Sequence, residues 1–100
     1  MANNEPKLIK VIVLTNQQIL ISEIEEVGAD VGEPDCKLLS PFLVTTSEQK
    51  ITMQEGVIVL SPFLGGFTND DTFMISSDKI LTLAEPNKKL LQKYEDLTKE

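Results

Sequence analysis

The chain of 100 residues contains no histidine and no tryptophan, and its nine basic residues are all lysine. Without histidine it lacks the commonest general base and the usual nitrogen ligand of zinc. Without arginine it lacks the side chain that grips a phosphate or a guanine edge through two parallel hydrogen bonds. We therefore expect no metal, no cofactor and no enzymatic activity.

Cysteine and long apolar runs are also scarce. The single cysteine, Cys36, allows no disulfide within the chain, which is typical of a cytoplasmic protein, and we expect it to be a small buried side chain. No apolar run approaches the roughly 18 residues of a membrane span, and residues 1–6 lack the pattern of a signal peptide. The prediction is one cytoplasmic domain over residues 1–100, without a membrane partner.

The charge is strongly acidic, with 16 acidic residues and a net charge of −7. This balance disfavours a protein that holds nucleic acid through many phosphate contacts. Several acids fall between Glu23 and Asp35 with no lysine among them. Paired carboxylates could serve glycoside chemistry, but no aromatic residue accompanies them, and an exposed strand face and loop is the preferred interpretation.

Most of the chain has the composition of short β-strands separated by turn residues. A hairpin around 15–17 is the firmest local prediction, and 28–34 is expected to be a loop because it holds glycine and proline. The turn 47–50 precedes residues 51–54, where Ile51 and Met53 alternate with polar residues and could extend a strand. The predicted strands are 8–14, 19–27, 36–46, 57–64, 72–76 and 79–83.

The C-terminal segment changes to a helical period. The spacing predicts a helix over 86–98, begun by Pro86 in its first turn or by Asn87 as a cap. Its apolar stripe, expected to pack on the chain's own strands rather than on a neighbour, is Leu90, Leu91, Tyr94 and Leu97. Lys88, Lys89 and Lys93 are expected to be an ordinary solvated face. Because no other connection has room for a long helix, the sheet should be antiparallel.

The tetrapeptide Ser-Pro-Phe-Leu occurs twice, at 40–43 and at 61–64, each time inside a predicted strand. Proline cannot donate to a sheet ladder. If the two strands pair, Pro41 and Pro62 lie roughly opposite one another and create a bend, as small barrels require. The alternative is coincidence between two short apolar segments.

Residues 68–71 could offer oxygens to calcium, although a solvated turn is the preferred interpretation.

Two segments resemble the motifs of the Sm-like family, which fits better than the OB-fold alternative. Residues 13–16 with the following isoleucines resemble the first motif, and Asp35 precedes Leu38 at that motif's spacing. Residues 75–83 resemble the second motif. The resemblance covers 8–83 and implies a small, strongly bent antiparallel barrel of five or six strands, followed by the helix at 86–98.

Sm-like proteins form rings in which neighbouring subunits pair strand edges, and they bind single-stranded RNA at loops lining the pore. The resemblance therefore implies a ring of roughly five to seven copies that acts in RNA or DNA processing. Carried over by position, with Asn16 implicated only weakly, the nucleic-acid-binding residues would be Asp35, Lys37, Ser76, Ser77, Asp78 and Lys79. The subunit interface would contain Phe73, Met74, Ile75, Ile80 and Leu81.

The resemblance and the charge favour different partners. Sm-like chains also occur in bacterial viruses, and such an origin is one expectation. The leading hypothesis is a homo-oligomeric module that binds single-stranded RNA or DNA. The alternative, favoured by the net charge of −7, is an acidic scaffold ring that binds proteins and not nucleic acid.

Overall fold

The computed structural model describes residues 8–28, 30–46 and 58–98 of the chain. The predicted turn at 47–50, the alternating segment 51–54 and residues 1–6 lie outside these described residues. In chain order the elements are β1 (Ile9–Leu14), β2 (Ile19–Glu26), β3 (Cys36–Thr46), β4 (Ile58–Pro62), β5 (Thr72–Ile75), a 3-10 turn (Ser77–Lys79), β6 (Ile80–Ala84) and α1 (Lys88–Thr98).

The strands form one antiparallel sheet in the order β4-β3-β2-β1-β6, and β5 pairs with β3 beside β4. The predicted hairpin of β1 and β2 is confirmed, with Val11 opposite Ile21. In its turn the Asn16 side chain accepts the N–H of Gln18 at 2.9 Å. The prediction of a mostly β, antiparallel chain with a C-terminal helix is therefore confirmed.

Strand β3 bends sharply in its middle, at the first Ser-Pro-Phe-Leu segment. Ser40 has a positive φ of 53°, and the next residue, Pro41, has no N–H to donate. Before the bend β3 pairs with β5, and after it β3 pairs with β4. Pro62 lies opposite Phe42, one residue from the predicted position, and the N–H of Phe63 bonds the carbonyl of Pro41 at 3.0 Å.

The inner face of the bent sheet holds the first part of the core. Ile12, Leu20 and Leu38 are fully buried there, and Leu14 and Ile24 join them. The partly buried side chains that pack on this cluster are Leu43, Phe63, Ile75 and Ile80. Burial of each large aliphatic side chain contributes about 1.5–3 kcal/mol, so this cluster stabilises the packing on this face of the sheet.

The outer face of the sheet is covered by α1. Leu90 and Tyr94 of the helix are buried against Ile21, as the predicted stripe requires, while Leu97 at the helix end stays exposed. The helix begins at the cap expected as the alternative to Pro86, because the Asn87 side chain accepts the N–H of Leu90 at 2.9 Å. This described helix is too short and too polar to cross a membrane.

The prediction of a closed barrel is not met by the described residues, because the sheet is open between β4 and β6. Closure requires strand tilt and stagger that match around the whole circumference. Here β5 leaves β3 as a side branch, and the 3-10 turn then carries the chain across to β6 beside β1. The outcome, in the described residues, is an open antiparallel sheet that ends at β4 and at β6.

Candidate functional site

Asp35 and Ser77, two of the residues predicted to bind nucleic acid, are bonded directly to each other. Asp35 lies just before β3, and its carboxylate accepts the backbone N–H of Ser77 at 2.7 Å and the Ser77 hydroxyl at 2.8 Å. These two donors, the backbone N–H first, hold the pKa of the Asp35 carboxyl below its ordinary value of 3.8. The carboxylate therefore anchors the 3-10 turn to the start of β3.

The other end of the same turn is bonded to the β1–β2 hairpin. The carbonyl oxygen of Lys79 accepts the N–H of Thr15 at 2.8 Å. Within the turn, the Ser76 hydroxyl donates to the Asp78 carboxylate. The turn thus bridges two strands that are not neighbours in the sheet, which explains why its polar side chains are committed to holding the backbone.

The predicted lysines do not add a basic patch to this turn. Lys37 lies on β3, and its Nζ is 3.8 Å from a carboxylate oxygen of Glu25 on the neighbouring strand. Lys79 is exposed, but Asp78 precedes it directly in the chain and Asp35 is bonded to Ser77 of the same turn. The structure therefore brings four of the predicted residues together, Asp35 and Ser76 through Asp78, in a setting where carboxylates offset the single ammonium group.

The residues predicted for the subunit interface divide into two groups. Ile75 and Ile80 pack on the chain's own inner core, and Phe73 stacks edge-to-face on Phe63 with ring centroids 5.5 Å apart. Met74 and Leu81 are exposed. Of the five residues predicted for the interface, only these two have side chains exposed enough to contact a second molecule.

Strand β6 is a free edge of the described sheet and carries the largest apolar exposure of any strand. Leu81 is 65% exposed and Leu83 is 46% exposed. Leu83 lies opposite Ile12, which is fully buried on the inner face. Because residues directly opposite share a face, Leu83 belongs to the core face and is exposed because the sheet ends there.

Strand β4 forms the opposite edge of the sheet. Its sequence, Ile-Val-Leu-Ser-Pro, contains no charge, and neither does the Ile-Leu-Thr-Leu-Ala of β6. Both strands contain 5 residues. Val59 of β4 lies 42% exposed opposite Thr45. The two edges are thus alike in length and in apolar character.

The described residues offer no arrangement for nucleophilic or metal chemistry. No group of three or more acidic, cysteine or histidine side chains among them is placed to hold a metal ion. Cys36 is buried, and that burial, with nearby Asp35 and Glu26, raises the pKa of its thiol. A raised pKa favours the unreactive thiol over the thiolate.

Sequence reasoning missed the role of two polar side chains in the core. Tyr94 was predicted only as part of an apolar stripe, yet its hydroxyl accepts the N–H of Glu23 at 3.1 Å. Ser22 is fully buried, and its hydroxyl reaches the carbonyl of Leu39 at 3.1 Å. The sequence offered only a general signal for the role of Tyr94, because a buried tyrosine hydroxyl usually finds a hydrogen-bond partner.

Comparison with known families places the chain. Residues 7–99 match the family described as "Family of unknown function (DUF6561)", and the chain belongs to that family. No curated protein matches the chain.

The resemblance to the Sm-like family is therefore wrong, since no such family is matched. The sequence departs from the Sm pattern where it matters most: Gln17 and Ser22 replace expected glycines, and Ser76-Ser77 replace the basic residue and glycine of the second motif. Alternating apolar strands with one turn are common to many antiparallel proteins. The resemblance arose from that shared pattern.

Proposed function

We propose that this protein is a self-associating structural module whose assemblies bind protein partners rather than nucleic acid. One observation carries the proposal: in the described sheet, β6 is an uncharged edge strand whose Leu81 and Leu83 side chains are exposed. A free apolar edge is a ready template for pairing with another chain.

Edge strands of monomeric proteins are usually protected by a lysine, a proline or a bulge. The described edge β6 has neither lysine nor proline. Its one irregularity is a shift in the β1–β6 register beside Leu14. The shift leaves Leu81 as an extra residue of β6, whereas Thr82–Ala84 pair regularly with β1. That regular stretch, with the exposed Leu83, is what supports pairing in β6.

The opposite edge offers a partner strand of the same length. Pairing of β6 in one copy with β4 in the next would extend the sheet and cover both Leu83 and Val59. Such a contact joins two different surfaces, so it produces a closed ring or an open filament. The size of roughly five to seven copies came from the Sm-like resemblance alone, so the number of copies is left to measurement.

Charge supports protein partners over nucleic acid. The net charge is −7, and the turn once expected to bind RNA holds the carboxylates of Asp35 and Asp78. Phosphate would meet repulsion there at every step of approach. The competing prediction of single-stranded RNA or DNA binding has the exposed Lys79 in its favour, whereas the Ser76 and Ser77 hydroxyls already donate to Asp78 and Asp35.

The experiment is a measurement of solution mass by light scattering over a range of concentrations, paired with titration of labelled oligo-U and oligo-A at low salt. We expect a multiple of the 11.1 kDa chain mass and no oligonucleotide binding up to about tens of micromolar. A monomer at all concentrations contradicts self-association. Oligonucleotide binding at low salt contradicts the choice of protein partners.

A further inference from the structure

A cleft of about 340 Å³ opens beside β3 where its pairing changes from β5 to β4. It lies at the bend of β3 and is closed on one side by the end of α1. Ligand pockets span roughly 300–1,000 Å³, so this cleft has room for one or two side chains. Its walls are Ser40, Pro41, Phe42, Pro62, Phe63, Asp70, Asp71, Phe73, Leu97 and Thr98.

The two Ser-Pro-Phe-Leu segments form the apolar walls of this cleft. The first contributes Pro41 and Phe42, and the second contributes Pro62 and Phe63. The rings are held in place: Phe63 stacks edge-to-face on Phe73 at 5.5 Å, and Phe42 stacks in the same way on Tyr94 at 5.9 Å. Three of the four phenylalanines of the chain therefore line one preformed site.

The electrostatic character of the cleft is negative. Asp70 and Asp71 stand on its rim, and the carbonyl of Asp71 holds their segment against β3 by accepting the N–H of Ser40 at 2.7 Å. In the described part of the chain, neither carboxylate takes part in an ion pair. Leu97 and Thr98 end α1 at the cleft, and its last turn has no basic residue, so the helix dipole adds negative potential.

We infer that this cleft binds an extended segment of a partner protein that places a lysine or arginine beside an aromatic or aliphatic side chain. The aromatic walls take the apolar side chain, and the Asp70 and Asp71 carboxylates take the cation. Phenylalanine faces add attraction for the same cation. The inference deepens the proposed scaffold role and rests on it in taking the partner to be a protein.

The probe is a short fluorescein-labelled peptide that alternates phenylalanine and arginine, followed by fluorescence polarisation against the intact chain at low salt. A matched peptide with glutamate in place of arginine tests the charge. We expect the basic peptide to bind and the acidic peptide not to bind. The double variant Asp70→Asn with Asp71→Asn should weaken binding of the basic peptide by roughly tenfold.

Two matched controls test whether binding depends on the cleft itself or only on the overall charge and the exposed apolar surface of the chain. The variant Asp30→Asn with Glu33→Gln removes the same charge from an exposed loop away from the cleft, and it should bind like the wild type. Leu97→Ala, within the cleft, should weaken binding several-fold. Val31→Ala, at another exposed position, should leave it unchanged.

Equal loss in both double variants, or equal binding of both peptides, overturns the inference. So does the absence of binding by a chain whose circular dichroism shows it folded. Solution mass is measured on the same samples, so failure of self-association and failure of the cleft are read separately.

Discussion

The hydroxyl of Tyr94 donates to the carbonyl oxygen of Ser40 at 2.9 Å, at the residue where β3 bends. It also lies 3.1 Å from the carbonyl of Leu39 and accepts the N–H of Glu23, where the β2–β3 register shifts. A bend and a register shift both leave backbone groups without ladder partners. One helical side chain therefore satisfies the backbone at the most distorted point of the sheet.

Tyr94→Phe tests this relationship. The ring would keep its contact with Phe42, but the N–H of Glu23 and the carbonyl of Ser40 would lose their partner in a partly buried place. We expect a loss of about 1–3 kcal/mol in the free energy of unfolding, measured by urea denaturation. Thr45→Val, which removes an exposed hydroxyl, should change it little; an equal effect of both would contradict the assigned role.

Gly65→Ala and Gly66→Ala should differ although the residues are adjacent. A Cβ on Gly65 would lie 3.0 Å from the Cβ of Pro62 and 3.1 Å from its carbonyl oxygen, whereas a Cβ on Gly66 would meet nothing within 4 Å. We expect Gly65→Ala to lower the free energy of unfolding by about 1–3 kcal/mol. Gly66→Ala should leave it unchanged or raise it by about 0.5 kcal/mol. Equal urea midpoints would contradict this packing of the second proline.

The pKa of Asp35 should depend on Ser77. Its folded pKa lies below 3.8, so the carboxylate stabilises the fold above that pH, and the contribution is lost as the pH falls through the folded value. Ser77→Ala removes the hydroxyl donor and keeps the N–H, so the pKa should move partway back toward 3.8 in an NMR titration. Ser76→Ala is the matched control, because that hydroxyl donates to Asp78. A similar shift of the Asp35 pKa in both variants would show that the lowered pKa does not depend on the Ser77 hydroxyl.

Substitutions in the free edges should dissociate the assembly. Leu81→Pro deletes a backbone donor of β6, so it should reduce the solution mass to that of one chain. Met74→Pro, in β5, lies outside the proposed β6–β4 contact and tests the interface that the Sm-like resemblance implied. Leu83→Lys is the gentler variant, since it places a charge on the edge without removing an N–H. Lys88→Ala, on the exposed start of α1, is the control and should leave the mass unchanged. An intact assembly in both β6 variants would place the interface elsewhere.

The 3-10 turn provides the test between protein and nucleic-acid partners. Under the proposed function, neither the wild type nor Lys79→Ala binds oligo-U at low salt, because Asp35 and Asp78 offset the lysine. If the competing prediction holds, Asp78→Asn raises the affinity for oligo-U and Lys79→Ala lowers it, each more strongly at low salt than at high salt. Titrations of both variants at two salt concentrations decide between the two.

The positions of the strands and the helix could be predicted from the sequence because they depend on local periodicity. The third strand, Cys36–Thr46, has the bounds predicted for it, and the first two strands differ by a residue at one end. The helix begins two residues later than predicted because Asn87 caps it. The candidate site was only partly predictable: Asp35 and Ser77 were both named, but their bond joins residues 42 positions apart.

The sequence by itself determined an antiparallel β chain with a C-terminal helix, because alternation, helical spacing and turn residues act over a few neighbours. For the repeated Ser-Pro-Phe-Leu segments it left a bend and a coincidence both open. Only the tertiary structure decided that the described part of the sheet is open, that the Tyr94 hydroxyl bonds the backbone at the bend, and that both Ser-Pro-Phe-Leu segments line one cleft. Those outcomes depend on which distant strands pair and in what register. Residues 41 and 62 come to face the same space because β3 changes its partner from β5 to β4 at Ser40, and no local pattern specifies that change.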